Sequence, residues 1–158
     1  MEQLPVVHST FVLERSFAAP LDRVFSAFSD PAKKRIWLSE DGDHPVDSFE
    51  MDFHLGGIER LEYKLGDDTP FPGTPLVSLS IFQNIVDGAR IVQASRMTLG
   101  GHCISATLVT FEFSASDEGT GLTVTHQGAF FERSDGPQMR EGGWCRLMDS
   151  LGNYLHSE

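Results

Sequence analysis

The chain has 158 residues, 40% of them hydrophobic and 22% charged, and 12 Lys plus Arg against 23 Asp plus Glu give a formal net charge of −11. That length fits one domain over residues 1–158, large enough to bury a core without metal or disulfide staples, and the composition excludes a disordered chain. The negative field, with no basic stripe, argues against nucleic acid and against anionic membrane surfaces as partners.

No apolar run approaches the roughly 18 residues of a membrane span, so no membrane insertion is expected. The opening MEQLPVVHST has no basic region followed by an apolar core, so no secretory signal is expected and the expected location is cytoplasmic. Cys103 and Cys145 lie in different segments without CxxC or Cys/His ligand spacing, which fits two reduced thiols.

In chain order, alternation of Phe11, Leu13 and Phe17 predicts a strand from about Ser9 to Ala18. Pro20 suits a first helical position, and Leu21, Val24, Phe25 and Phe28 recur at helical spacing. Asp30 as cap and Pro31 as first residue open a second short helix that ends near Trp37 or Leu38. Ser39 to Pro45 is acidic and turn-rich, a loop. Strands then dominate from Val46 to Phe113. Gly56-Gly57 reads as a tight turn or bulge, Gly66 to Pro75 as a loop, Asp87-Gly88 as a hairpin and Gly100-Gly101 as a break. Gly119 and Gly121 bracket a turn before the strand of Leu122, Val124 and His126. After Asp135-Gly136-Pro137 the period becomes helical. Trp144, Leu147, Met148, Leu151 and Leu155 form one stripe, with Arg140, Arg146 and Asp149 off it. Gly142-Gly143 inside this helix suggests a bend or the close approach of another backbone.

An antiparallel sheet with one apolar face needs a cover, and the long helix is the only element of that size. The expected class is α+β: a curved antiparallel sheet of six to seven strands around a long C-terminal helix. A cavity lies between them, and the two short helices after strand 1 form a lid or plug.

The residues that carry a family resemblance run through most of the chain. They are Arg15-x-Phe17-x-Ala19-Pro20, Val24-Phe25, Ser29-Asp30-Pro31 and Trp37, then Gly56-Gly57, Thr123-Val124-Thr125-His126 and Gly142-Gly143-Trp144 with Leu147, Leu151 and Leu155. Together they resemble the family related to the activator of the ninety-kilodalton heat-shock-protein ATPase. The wider superfamily contains START domains, the birch-pollen allergen group and polyketide cyclases. The resemblance implies a helix-grip fold with a deep, mostly apolar pocket under the long helix. The co-chaperone that names the family has an additional N-terminal domain, and this chain has only a few residues before its first strand. Chaperone activation is therefore not expected to carry over.

Strand parity places His126 on the face of Leu122 and Val124, under the helix. There it is either a pocket donor or general base, or a histidine tied to a neighbouring backbone or carboxylate group. Trp37, where the lid meets the pocket mouth, and Trp144, on the apolar stripe, are wall or core residues. Alternation turns Phe49, Met51 and Phe53 inward, likewise Val77, Leu79 and Ile81, and further on Met97, Val109 and Phe111. Met148 and Leu151 join them from the helix. Arg60, Glu62 and Arg96 are the charged residues expected to reach the interior or its rim. For Arg60 and Glu62 a one-residue shift of the strand would instead turn both to water. The candidate ligand-binding set is thus Trp37, Phe49, Met51, Phe53, Glu62 and Leu79, with Ile81, Met97, Phe111, His126, Trp144 and Met148. Arg15 belongs to the resemblance without an assigned face.

His44, His54, His102, His126 and His156 form no HxH or HxxxH pair. Asp41, Asp43 and Asp47 lack calcium-loop spacing, and no phosphate-binding or nucleophile motif occurs, so no metal or cofactor is expected. Three functional readings remain. The first is binding of a small apolar or amphipathic molecule by a monomer or homodimer. The second is a cyclase, hydratase or hydrolase with His126 as acid or base. The third is a chaperone-interacting module.

Overall fold

β1 (Val7–Phe17) ends at Ala19-Pro20, and α1 (Leu21–Ser29) begins one residue later than the proline suggests, with Pro20 as its cap. α2 (Pro31–Ser39) opens as expected: the Asp30 carboxylate accepts from the backbone N–H of Ala32 at 2.9 Å and of Lys33 at 3.4 Å. β2 (Val46–Met51), β3 (Ile58–Lys64), β4 (Pro75–Val86), β5 (Arg90–Leu99), β6 (His102–Ser116) and β7 (Gly119–Phe130) follow, then α3 (Pro137–His156). The computed structural model describes residues 5–39, 46–67 and 69–157. The expected acidic loop, with Asp41, Asp43 and His44, therefore lies almost wholly outside the described residues. Asp47 is exposed in β2.

The seven strands form one antiparallel sheet in the order β1-β7-β6-β5-β4-β3-β2. α3 lies against its concave face, giving the α+β helix-grip arrangement. The core is shared by inward residues of β1, β6 and β7 (Leu13, Phe111, Phe113, Val124) and by Met148, Leu151 and Leu155 of α3. The short helices are tied to α3 at two points. The Ser150 hydroxyl donates to the Trp37 carbonyl at 2.6 Å, and the Arg23 guanidinium donates to the Leu155 carbonyl at the helix C-terminus.

Several expected orientations are reversed. Val77, Leu79 and Ile81 face outward, with Ile81 43% exposed, and Leu76, Ser78, Ser80 and Phe82 face inward. A β-bulge follows in the same strand. Ile85 pairs with Ile91 and Phe82 with Gln93, so Gln83 is the extra residue. It flips the alternation between the two halves of β4. β3 follows its neighbour: Ile58, Arg60 and Glu62 stand opposite Ile81, Leu79 and Val77 on the outer face, and Arg60 pairs there with Glu62 at 2.8 Å. Arg96, opposite Leu79, is likewise outside and exposed.

The last turn is formed by Asp117 and Glu118, and Gly121 lies within β7 opposite Ser114. Gly119 is the constrained residue: its φ is +141°, and a Cβ there would sit 2.1 Å from the Phe17 carbonyl oxygen. Arg140 is buried rather than solvated. No other backbone closes on Gly142 or Gly143; an added Cβ at either would meet only the Arg146 side chain, at 3.7–3.8 Å. Arg15 is half-buried on the side of Leu13 and Phe17.

Leu151 is fully buried at the centre of the seam between helix and sheet. Leu151→Ala is expected to lower the unfolding free energy by about 3 kcal/mol and the melting temperature by about 9 °C, read by urea and thermal denaturation. A loss below about 1 kcal/mol would show that the helix does not seal the core.

Candidate ligand cavity

Under the N-terminal half of α3 the sheet is not filled. A cavity of about 470 Å³ remains there, within the roughly 300–1,000 Å³ of small-molecule sites. Its mouth lies between the β3–β4 loop, with Phe71, and the start of α3, with Met139. Gly143 contributes bare backbone to the wall, so the glycine that costs helix stability leaves volume in the cavity.

The apolar wall is aromatic. Trp37 is buried, and its indole N–H donates to the Ala27 carbonyl at 2.8 Å. Phe28 lies 5.1 Å from both Trp37 and Phe111, and Phe111 lies 5.7 Å from Trp144. Trp37, Phe111 and Trp144 line the cavity, with Trp144 half-buried rather than fully packed.

The floor is polar. Glu59, Ser80 and Ser95 stand opposite one another across β3, β4 and β5 and all line the cavity. Lys34 reaches down from α2 to the Glu59 carboxylate at 2.5 Å, and both residues are buried. Either charge alone would carry a large desolvation cost, which the pairing offsets. The Ser80 and Ser95 hydroxyls bond to each other at 2.6 Å. Gln93, two residues along β5, is 4% exposed and lines the cavity, and its amide nitrogen has no hydrogen-bond partner among the described residues. A buried amide without a partner carries the desolvation cost of its polar groups, which a ligand oxygen or nitrogen would relieve.

A family model described as Activator of Hsp90 ATPase homolog 1-like protein matches residues 18–156. The chain belongs to this family. Among solved structures it is similar to an uncharacterised protein from Rhizobium leguminosarum (33% identity, TM-score 0.91, covering 99% of this chain and 100% of that one). It is also similar to the Mll3558 protein from Rhizobium loti (39% identity, TM-score 0.84, covering 96% and 99%). Protein CV1439 from Chromobacterium violaceum, at 22% identity and TM-score 0.77 over 92% and 96%, shares the fold. A comparison with curated proteins finds no match.

Within this Hsp90-activator-like frame, the sequence-derived set divides. Trp37, Met97, Phe111 and Trp144 line the cavity. Phe49, Met51 and Phe53 pack against the core beside it, and Met148 is fully buried. Glu62, Leu79 and Ile81 are on the opposite face of the sheet. Among the cavity residues missed by the sequence reading are Lys34, Glu59, Ser80, Gln93 and Ser95, with Arg133, Arg140 and Arg146. Gln93 and Ser95 were within reach, because they share the parity of Met97 on β5. Cys103 and Cys145 are free thiols. No helix of the described residues is long and apolar enough to cross a membrane.

His126 does lie beneath the helix, but it does not line the cavity. Its ring stacks on Phe11 with centroids 4.5 Å apart, and its Nδ1 finds no partner among the described residues. Burial, with the Arg140 charge adding to it, lowers its pKa to about 4, so the imidazole is neutral near pH 7. Below pH 6.5 the unfolded chain binds a proton here that the native chain does not. The stability contributed is complete above that pH and is lost as pH falls toward about 4. His126→Phe, which keeps a stacked ring, is expected to remove about 3 kcal/mol of the stability lost between pH 7.5 and 4. Urea unfolding at both pH values checks this, and identical losses in the two proteins would refute it.

Proposed function

We propose that the chain binds a small amphipathic molecule in the cavity between α3 and the sheet. One observation carries this reading: an aromatic, apolar wall converges with a buried polar floor in which the Gln93 amide is unpartnered. A space meant only to be packed would be apolar and filled, because unfilled volume and unpaired amides both destabilise. Small-molecule sites combine apolar walls with a few placed polar groups. His126 is off the cavity wall, so the acid–base role considered for it has no access to a ligand bound there. The family name reports ancestry and fold, and function is argued from the site.

Gly143→Leu tests the reading directly. The leucine side chain would occupy the cavity, and replacing a helical glycine favours the helix by about 0.8 kcal/mol. The neutral fluorophore N-phenyl-1-naphthylamine is expected to bind the unmodified protein saturably, at one per chain. The variant should melt no lower and bind at least about tenfold more weakly. Equal affinity in both proteins would place the bound probe outside the cavity.

A further inference from the structure

The charges around this cavity are opposite in sign to the protein that contains it. Lys34, Arg133, Arg140 and Arg146 line it against Glu59 and Asp135, four basic groups less two acidic ones, a net +2 within a chain of net −11. Lys34 and Glu59 neutralise each other at the floor. Arg140 is likewise neutralised by Asp135, so the uncompensated charge is on Arg133 and Arg146.

Arg140 is the fixed member of the three arginines. It is 8% exposed, and its Nε and Nη2 donate in parallel to the two Asp135 carboxylate oxygens at 2.8 Å each. Nη2 also donates to the Ser105 hydroxyl at 3.1 Å, and the guanidinium lies over the Phe130 ring at 5.1 Å. These contacts fix the guanidinium plane and leave Nη1 without an acceptor among the described residues. Arg133 precedes α3 with φ +68°, the one non-glycine residue in the left-handed region among those described. Such a conformation is uncommon outside glycine and here forms the turn that leads into α3. Arg133 and Arg146 are exposed at the rim and have no hydrogen-bond or ion-pair partner among the described residues. Beside them Phe71 and Met139, 50% and 70% exposed, form an apolar lip.

We propose that the molecule bound here is an amphipathic anion. Its carboxylate or phosphate-type head is held by Arg140, Arg133 and Arg146, and its apolar body lies against Trp37, Phe111 and Trp144. The proposal rests on the binding function above and adds the sign and place of the head group. The unpaired guanidinium groups of Arg133 and Arg146 match such heads in charge, and Arg140 has Nη1 left to add, its Nε and Nη2 being engaged by Asp135 and Ser105. Asp135 is a positioning residue, because it orients Arg140.

Both tryptophans of the chain line the cavity, so their fluorescence reports its occupancy. Decanoate, decyl phosphate, decanol and decylamine share one tail and differ in the head. Each would be titrated below its micelle concentration at pH 7.5 into the unmodified protein, the exposed-site double variant Arg133→Gln/Arg146→Gln, and Arg140→Lys. At least one anion is expected to bind about tenfold or more tighter than decanol, with decylamine weakest. That advantage should fall at least threefold in the double variant or in Arg140→Lys. An advantage for decanoate alone identifies a free carboxylate, and one for decyl phosphate alone a phosphate ester. Decanol binding as tightly as either anion, or an advantage that survives in both variants, would overturn the anionic head while leaving the cavity as a binding site. Failure of all four probes to bind would overturn the binding function itself.

Discussion

α3, 20 residues and about 30 Å long, covers only part of the concave side of seven strands, and α1 adds Phe25 and Phe28 against β6. That mismatch of areas organises the molecule. The C-terminal half of α3 closes against the sheet with Met148, Leu151 and Leu155, and the short helices are pinned to it through Ser150 and Arg23. The N-terminal half has glycine at 142 and 143 and a half-buried Trp144, and it stands over open space. Interiors of this size otherwise pack to crystal-like density, with few voids larger than a water molecule. A cavity of hundreds of cubic ångströms is thus a feature held open by the sequence. Gly143 is placed where a side chain would close it.

Holding such a space open in the presence of polar groups requires that those groups be paired. Lys34 with Glu59, Ser80 with Ser95, and Arg140 with Asp135 form three such pairs around the wall. The pairing keeps the site from being a sum of buried charges, and it also orients what is left over. What is left over is specific: the Gln93 amide inside, and Nη1 of Arg140 with the two unpaired arginines at the rim. An apolar body with one charged end is the ligand shape that answers both. His126, the residue whose position in a strand looked most like chemistry, is instead part of the packing between Phe11 and the helix.

The fold was legible because its signals are redundant. Asp30-Pro31, Asp87-Gly88 and Asp135-Gly136-Pro137 each mark a boundary through local chemistry, and the change from period two to period 3.6 near residue 137 separates sheet from helix. The wall of the cavity was only partly legible. Reading apolar residues as inward works where a face is packed, as for Val109, Phe111 and Val124. It fails on β4, where Ser78 and Ser80 face a polar floor while Val77, Leu79 and Ile81 lie on the convex side. The bulge at Gln83 hides the inversion, since Ile85 and Phe82 both face inward across it. Glu59 was missed by the same one-residue offset, carried from β4 to β3 by pairing. Arg140 lies off the apolar stripe, and it is buried because Asp135 and Ser105 satisfy it. Long-range pairs of this kind leave no mark on local periodicity.

Native mass spectrometry of the freshly purified chain, set beside its denatured spectrum, shows whether this cavity carries a small molecule. The expected native mass exceeds that of the polypeptide by one molecule per chain, with the excess absent after denaturation. An identical mass in both spectra, from protein that also fails to take up an added amphiphile at saturating concentration, would contradict it.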